Sequence, residues 1–435
     1  MNLLNSFIRT SVKTSKRSKP ASVLCVYIFI TIFFLQIFSC NSASSSKQKT
    51  ADSIAAIALP PPGVLDKATI QRLKNGCTAW YDSMLLRRGF NGGILVAKNG
   101  NIIFEAYNGT GHLNGKDTVN SSMPFHIASV SKTFTAMAVL SLWQEGKINI
   151  DDTLSKYFPA FNYPAVTVRS LLSHRSGLPN YVYFMETAGW DKKKYVTNQN
   201  VLDYLITKKA ELKNIASPNT HFNYCNTNYA LLALLIEKIS GQPYPVYMQQ
   251  HIFMPLQMKN SFVFDTNMVK QVIPSYDWRG TEIAYNFLDA VYGDKNIYST
   301  PRDLLIWDRA LSSGKFLNSH SLQEAYAPYS NEQPGIRNYG LGWRMNIYPS
   351  GKKMIYHNGW WHGNNAAFIR LLDEDATIIV TGNKFNRNIY HAKDIANIFE
   401  NYFSADDEEE GEGNKNAAPA AVSAKDKVHA LNTKK

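Results

Sequence analysis

Strand-like segments stand at both ends of this 435-residue chain, and helical segments fill its middle. Residues 91–109 read as two strands joined at Asn99-Gly100, a dipeptide that readily adopts the left-handed conformation of a hairpin turn. Residues 354–383 hold at least three more strand candidates, whereas residues 130–315 mostly show helical spacing. We therefore predict an α/β (α+β) fold: an antiparallel sheet built from both ends of the chain, flanked by helices, with an inserted helical lobe. A ligand cleft is expected where sheet and lobe meet.

Composition divides the chain into four parts. Residues 1–39 are a basic stretch followed by an apolar run, and residues 40–62 are a Ser/Ala/Lys-rich tether that ends in three prolines. Residues 404–435 have too little apolar content to fold and are expected to form a disordered tail. The folded domain is expected at 63–403, with its sheet part at about 63–128 and 316–403 and its helical lobe at about 129–315.

The first 39 residues have the pattern of an export signal, in which basic residues precede an apolar segment. The apolar run Val23–Cys40 is short for a membrane-spanning helix, which needs roughly 20 apolar residues. A small residue, Ser39, stands before Cys40, as in a bacterial lipoprotein signal, where Cys40 would be lipidated. We expect a protein of the bacterial cell envelope, lipid-anchored in the periplasm or at the cell surface. An uncleaved signal anchor and plain secretion are the alternatives.

The formal charge of +12 does not indicate a nucleic-acid-binding protein. The N-terminal segment carries five basic residues and no acidic ones, which leaves 41 basic against 34 acidic residues spread along the rest of the chain. No cluster of Lys and Arg interleaved with aromatic residues marks a surface that follows a phosphate backbone. Nucleic acid is therefore not expected as a partner.

Ser129 and Lys132 stand at the start of a predicted helix that is apolar nearly all round and ends at Gly146. Residues at i and i+3 share a helical face, so the amine can reach the hydroxyl. The free N–H groups of a helix N-terminus also favour negative charge as it develops. The S-x-x-K spacing alone is weak, because it recurs four times in this sequence. Taken alone, the motif is better explained by a capping serine and a solvated lysine.

Two further motifs favour a reaction centre. Tyr224 and Asn226 form a Y-x-N motif in a polar loop before another buried helix, and His357 and Gly359 form an H-x-G motif on a predicted strand. A glycine in a strand permits close approach of another backbone. His357 and His362 lack the spacing of an H-E-x-x-H zinc site, and no carboxylate is placed to join them, so no metal is expected.

The order S-x-x-K, Y-x-N, H-x-G resembles the serine β-lactamase-related family. That family includes class C β-lactamases, D-alanyl-D-alanine carboxypeptidases, D-aminopeptidases and some esterases; its class A relatives carry S-D-N and K-T-G motifs instead. Residues 166–181, 293–317 and 339–345 also resemble family segments in the right order, so the resemblance covers nearly all of 90–390. It implies the β-lactamase/penicillin-binding transpeptidase-like fold and a serine hydrolase that works through an acyl-enzyme, without a metal or cofactor.

The resemblance implies how the reaction would run. Ser129 would be the nucleophile that attacks a carbonyl. Lys132 and the Tyr224 hydroxyl would share the role of base, and Tyr224 would return the proton to the leaving group. The backbone N–H groups of Ser129 and Trp360 would form the oxyanion hole.

It also implies supporting roles. Asn226 would bind the substrate's amide and hold Lys132. His357, with Gly359 beside it, would take the place of the K-T-G lysine and face the substrate's carboxylate or leaving end. His174 would be a structural loop residue without a chemical role.

The motifs do not fix the substrate, because the family uses one constellation for β-lactams, D-amino-acid peptides and esters. Since histidine replaces the K-T-G lysine, we expect a D-amino-acid peptidase or an esterase rather than an efficient β-lactamase. A class C-type β-lactamase and a sensor that binds a peptidoglycan fragment or a β-lactam without turnover are the alternatives. The expected partners are a small-molecule or peptide substrate and, through the lipid anchor, a membrane. We expect a monomer in which Cys77 and Cys225 are unpaired thiols.

Overall fold

Both ends of the chain meet in one large antiparallel sheet. The structure, a computed structural model, describes residues 55–404, which all belong to one unit. The strands in this range are β1 (Gly92–Lys98), β2 (Asn101–Asn108), β3 (Phe125–His126), β4 (Phe262–Val263), β5 (Ser275–Tyr276), β6 (Glu282–Ile283), β7 (Ile297–Ser299), β8 (Arg337–Tyr339), β9 (Arg344–Ile347), β10 (Lys353–Trp361), β11 (Asn364–Leu371) and β12 (Ala376–Gly382). Seven of them form the large sheet in the order β2-β1-β12-β11-β10-β9-β8. The predicted fold class is confirmed.

In the described residues, helices and loops make up most of the sequence between β2 and β8, with one further helix before β1 and one after β12. The helices of this part of the chain are α1 (Lys67–Met84), α2 (Ser131–Gln144), α3 (Leu154–Tyr157), α4 (Val168–Leu172), α5 (Tyr181–Thr187), α6 (Asn198–Thr207), α7 (Asn226–Ser240), α8 (Tyr244–Met248), α9 (Pro301–Ser312), α10 (Ser319–Ala325) and α11 (Ala396–Phe399). The helices expected from apolar spacing are present as α2, α6, α7 and α9. None of the helices within residues 55–404 has both the length and the apolar character that a bilayer crossing requires.

The sheet separates two apolar cores, because successive residues of a strand point to opposite faces. On one face, Ile355 of β10 and Phe368 of β11 pack with the helical lobe, whose central helices α2 and α7 are buried almost all round. On the other face, Met354 and Ile369 pack with α1 and with the C-terminal helical segment. The helical lobe therefore lies on one side of the sheet only.

The hairpin near the start of the domain is confirmed. Strands β1 and β2 pair through Asn99 and Gly100, whose φ angles are 50° and 73°. At the C-terminal end of the domain, Arg387–Ile395 forms a tighter 3₁₀ segment that continues into α11. Strands β8 and β9, the last two at one side of the sheet, were not among the predicted strands. Each is only three or four residues long, which is too short to show a clear alternation.

The described part of the expected tether lies against the domain. The Ile57 amide donates to the Pro255 carbonyl at 2.7 Å, and the side chains of Ile57 and Leu59 pack on the main core. Ordered backbone contacts thus begin a few residues before position 63. The expected signal segment 1–39, Cys40 and the expected tail from 405 onward lie outside the described residues.

Candidate active site

Ser129 lies in a tight turn, Ala128–Val130, that leads directly into α2. Ala128 has φ of 48°, in the left-handed region that a residue with a Cβ rarely adopts. Its amide donates to Nδ1 of the buried His126 at 3.2 Å, which helps to hold the turn. Strain of this kind persists only where the surrounding structure enforces it, and it is concentrated at functional sites.

Lys132 is fully buried one helical turn beyond Ser129. Its Nζ donates to the Ser129 Oγ at 3.1 Å and to the Asp294 carbonyl at 2.7 Å. The i to i+3 spacing on one helical face produces the first contact, as the sequence predicts. The second contact fixes the ammonium from a segment more than 160 residues away in the chain. The Ser–Lys pair is therefore held in a single arrangement.

Tyr224 brings a phenol beside this pair from the loop that precedes α7. Its ring centroid is 5.0 Å from Lys132 Nζ and 4.9 Å from Arg344 Cζ. His174 packs on the ring at 4.3 Å between centroids, and its Nδ1 accepts the Cys225 amide at 3.1 Å. Burial holds the pKa of His174 well below its usual value, so this imidazole is neutral and supports the loop by packing and hydrogen bonding.

Asn226, the first residue of α7, does not hold Lys132 as the sequence analysis expects. Among the hydrogen bonds of residues 55–404, the Lys132 ammonium donates to Ser129 and to the Asp294 carbonyl, not to Asn226. The Oδ1 atom of Asn226 is buried and accepts no hydrogen bond within the described chain. A buried acceptor without a partner is costly, so it is suited to receive a donor from a ligand.

His357 does not face the cavity, which corrects the expectation that it meets the substrate's carboxylate. The side chain is buried, with Nδ1 at 2.7 Å from the Asn358 carbonyl and Nε2 at 3.3 Å from the Tyr339 hydroxyl. Burial, with Arg344 and Lys132 nearby, holds the pKa of His357 well below its usual value. A neutral buried imidazole cannot offer the charge that a lysine would, so His357 supports the strand and the neighbouring aromatic rings.

Gly359 allows β10 to lie against the turn that carries Ser129. A Cβ at this position would overlap the Ile127 carbonyl oxygen and lie 3.2 Å from the Ala128 Cβ. Strand β9 pairs only with Lys353–Tyr356, so the later part of β10 has no strand partner on that side within the described chain. Trp360 belongs to this unpaired part. Its predicted role in an oxyanion hole stays a prediction.

Two charged residues of the site, Arg344 and Asp294, do not belong to any of the three sequence motifs. Arg344 of β9 lies over Tyr224, and Asp294 supplies both the carbonyl that binds Lys132 and a buried carboxylate. Asp294 Oδ2 accepts from the Tyr181 hydroxyl at 2.9 Å, while the buried Lys295 Nζ is 3.6 Å from Oδ1. Both segments resemble family segments, yet only the folded chain brings these charges beside Ser129.

The described residues show no cluster of His, Cys, Asp and Glu with metal-binding geometry. His362 instead pairs with the buried Asp289, whose carboxylate oxygens lie 3.0 Å from Nε2. The two thiols, Cys77 and Cys225, are both buried and unpaired, in agreement with the expectation from sequence.

One cavity of about 470 Å³ joins most of the predicted site residues. Its lining near the reacting pair consists of Ser129, Tyr224, Asn226, Asp294, Lys295, Arg344, Gly359, Trp360 and Trp361. Lys132 and His357 do not line the cavity, because the side chains of both are buried. A serine paired with a lysine at the head of a buried helix, in a cleft between an antiparallel sheet and a helical lobe, defines the class of the serine hydrolases related to β-lactamases and penicillin-binding proteins.

Comparison with known proteins agrees with this class. The Beta-lactamase family model matches residues 78–402, three quarters of the chain, so the chain belongs to the β-lactamase family and is a serine hydrolase. The chain is 30% identical over 322 residues to penicillin-binding protein 4* of Bacillus subtilis, and the match covers 70% of each protein.

Two solved structures have the same fold. A penicillin-binding protein from Bacillus halodurans superposes with a TM-score of 0.64 at 23% identity, covering 74% of this chain and 98% of that one. A D-amino acid amidase from Ochrobactrum anthropi, complexed with L-phenylalanine amide, superposes with a TM-score of 0.62 at 25% identity, covering 75% and 97%. Members of one fold therefore differ in the substrate they take, and the choice depends on the lining of the cleft.

Proposed function

We propose that this protein is an exported serine peptidase that cleaves the bond before a C-terminal D-amino acid, through an acyl-enzyme on Ser129. The observation that carries the choice of substrate is the position of Arg344. Its guanidinium lines the cavity beside Tyr224 and forms no ion pair with a carboxylate of residues 55–404. An unpaired arginine in a concave site is suited to bind a carboxylate through two parallel hydrogen bonds.

The first half of the reaction forms the acyl-enzyme. The Ser129 Oγ attacks the peptide carbonyl carbon, and its proton passes to the Lys132 and Tyr224 pair. The negative charge that develops on the carbonyl oxygen is stabilised by the N–H groups of Ser129 and Trp360. The carbon–nitrogen bond then breaks, and Tyr224 returns the proton to the leaving amine.

In the second half, water replaces the leaving amino acid. The same pair takes a proton from the water, whose oxygen attacks the ester carbonyl, and the proton returns to the Ser129 Oγ as the ester bond breaks. Lys132 and Arg344 both lie within 5.0 Å of the Tyr224 ring, so both stabilise negative charge on the phenol oxygen when it gives up its proton. The Oδ1 atom of Asn226 accepts an N–H group of the substrate.

A second candidate function is a D-amino-acid amidase, favoured by Asp294. Its Oδ1 atom is buried, lacks a hydrogen bond within the described chain and belongs to a residue that lines the cavity. Such an atom would accept the α-ammonium group of an amino-acid amide. Lys295 lies 3.6 Å from the same oxygen and supplies part of that positive charge, which is why we prefer the carboxylate-directed function.

The test compares two peptides on the purified full chain. Both end in D-Ala-D-Ala, one with a free carboxylate and the other with a C-terminal amide. We expect hydrolysis of the free acid to be faster, and Arg344→Gln to lower its kcat/KM by roughly 10- to 100-fold, because hydrogen bonds to charged groups contribute about 1.5–3 kcal/mol. The amide should be affected little. Arg279→Gln, an exposed arginine away from the cavity, is the matched control.

Labelling with a fluorophosphonate establishes the nucleophile in the same samples. Label should appear in the unaltered protein and be lost in Ser129→Ala. Preference for an unblocked D-amino-acid amide would favour the amidase, and fast turnover of a chromogenic cephalosporin would favour a β-lactamase. Turnover of only a short-chain ester would favour an esterase. Ser129 labelling without turnover of any substrate would favour the sensor, and absence of Ser129-dependent labelling would exclude the mechanism.

Export and lipid anchoring are part of the proposal. Their support is the basic and apolar pattern of residues 1–39 and the position of Cys40 at the end of the apolar run. In a bacterial host, Cys40→Ser should release the protein from the membrane fraction and block incorporation of radiolabelled palmitate. Membrane retention of Cys40→Ser without palmitate labelling of either form would instead indicate an uncleaved anchor, and absence of both forms from the membrane fraction would indicate plain secretion.

A further inference from the structure

The cavity beside Ser129 continues around the edge of the sheet to its other face. On β10, Gly359 belongs to the face that lies against the Ser129 turn, whereas Met354 and Tyr356 belong to the opposite face, together with Ile369 of β11. All of them line the same cavity, with Tyr390 from the C-terminal helical segment. The cavity passes the unpaired end of β10, where no neighbouring strand of the described chain closes the sheet edge. We call the part on the far face the distal arm.

The distal arm is positively charged. Arg337 of β8 and Arg387 of the 3₁₀ segment line it, and neither forms an ion pair with a carboxylate of residues 55–404. Lys393 also lines this end, with its Nζ over the Phe403 ring. His391 pairs with Asp394 at 3.5 Å. The only carboxylate that lines the cavity within the described chain is Asp294, at the Ser129 end beside Lys295.

Charge of one sign in a concave site concentrates ligands of the opposite sign. Exposed arginines that line one groove without carboxylate partners also offer their N–H groups to an anion. Unlike these arginines, the two neighbouring tyrosine hydroxyl groups already donate hydrogen bonds within the described chain. The Tyr390 hydroxyl already donates to the Gly359 carbonyl at 3.0 Å, and the Tyr356 hydroxyl donates to Asn346 Oδ1 at 3.3 Å. The arginines are therefore the groups that remain for a ligand.

The length of β10 gives the distance that a ligand must span between Ser129 and the distal arm. Tyr356 precedes Gly359 by three residues, and a strand rises by ~3.3 Å per residue, so about 10 Å separates them along β10. An extended peptide covers the same distance in about three residues. A peptide whose scissile bond lies at Ser129 thus places the residue about three positions away in the distal arm.

We propose that the distal arm binds the side-chain carboxylate of an acidic residue on the acyl side of the substrate, about three residues from the scissile bond. This inference rests on the proposed function, since it places the reacting bond at Ser129. It narrows the substrate from any peptide ending in D-amino acids to an acidic peptide whose negative charges lie at both ends of the cleft. Arg344 binds the terminal carboxylate, and Arg337 and Arg387 bind the second one.

Binding is measured calorimetrically on the full chain with Ser129→Ala, so that no turnover is needed. The probes are acetyl-Glu-Ala-D-Ala-D-Ala and the same peptide with Gln or Lys in place of Glu. We expect the Glu peptide to bind on the order of tenfold more tightly than the Gln peptide, and the Lys peptide to bind more weakly than both. The combined change Arg337→Gln and Arg387→Gln should remove this preference, while Arg279→Gln should preserve it.

Equal affinity for the Glu and Gln peptides, or a preference that survives the double change, overturns the inference. Failure of the proposed function gives a different result. If the Glu peptide binds preferentially but the protein with intact Ser129 does not hydrolyse it, the distal arm stands and the peptidase assignment is wrong. If the peptides are hydrolysed at equal rates and bound with equal affinity, the peptidase assignment stands and the distal arm is wrong.

Discussion

Replacement of Gly359 by alanine should separate β10 from the turn that carries Ser129, the proposed nucleophile. The added Cβ would lie 3.1 Å from the Ile127 carbonyl carbon and would overlap the carbonyl oxygen. Carbon atoms pack at about 3.5–4.0 Å, so the strand and the turn must move apart by roughly 1 Å. The nearest atoms are the Ile127 carbonyl group and the Ala128 Cβ, none of which belongs to a flexible side chain that could absorb the displacement.

A displacement of this size acts directly on the reaction. The strand contributes one predicted donor of the oxyanion hole, at Trp360, and the turn contributes the other, at Ser129. Because a 1 Å misplacement of reacting groups can cost about 10²-fold, we expect kcat/KM to fall by about 100-fold, equivalent to ~2.7 kcal/mol of transition-state stabilisation. Forcing an extra carbon into a packed site also lowers the free energy of unfolding, by about 1–3 kcal/mol.

Steady-state hydrolysis of the D-Ala-D-Ala peptide and urea unfolding separate the two effects. Gly92→Ala is the matched control, since its Cβ would lie 2.7 Å from the Gly382 Cα, between β1 and β12 and away from Ser129. The control should lose a similar amount of stability while its folded fraction keeps the original kcat/KM. If Gly359→Ala retains full kcat/KM while folded, or if both variants lose activity equally, close approach of β10 is not what positions the reaction centre.

Two predictions concern stability. Burial lowers the pKa of His126 to about 4 and holds the pKa of His174 and His357 well below the usual value, so these imidazoles bind protons only after unfolding. The pKa of a histidine in the unfolded chain is about 6.5. Below that pH the unfolded state binds more protons, so the free energy of unfolding should fall by up to about 1.4 kcal/mol per pH unit for each of these histidines. An unchanged urea midpoint between pH 7 and 5 would contradict this. Asp308 and Arg370 form a buried ion pair, so Asp308→Ala should cost about 3–5 kcal/mol in urea unfolding at pH 7, and a loss below 1 kcal/mol would show that the guanidinium finds another partner.

The sequence predicts the reacting pair well because its geometry is local. Ser129 and Lys132 are three residues apart on one helix, and helical periodicity alone brings the amine to the hydroxyl. The topology follows from a similarly robust signal, since strand patterns at both ends of the chain and helical spacing between them leave few arrangements. Tyr224 and Asn226 are also recognised locally, as polar residues next to a long apolar helix.

His357 shows where local reasoning fails. Alternation along a strand places His357 and Gly359 on the same face, but the pattern does not indicate how closely another backbone approaches that face. The turn around Ile127 lies so near that Gly359 has no room for a side chain, and the imidazole two residues earlier is covered. A motif residue that appears suited to meet the substrate is consequently a buried support.

The positive charge of the cleft also could not be predicted from local sequence patterns. Arg337 and Arg344 lie on two short strands, β8 and β9, and Arg387 lies after β12, so they are distant in sequence from the motifs around Ser129. Overall composition shows only a modest excess of basic residues spread along the domain. The strand order β10-β9-β8 brings these two short strands beside the cleft, and the C-terminal segment closes over the far face. Under the proposed function, the motif residues determine which bond is broken, and the arginines beside the cleft determine which molecule presents that bond.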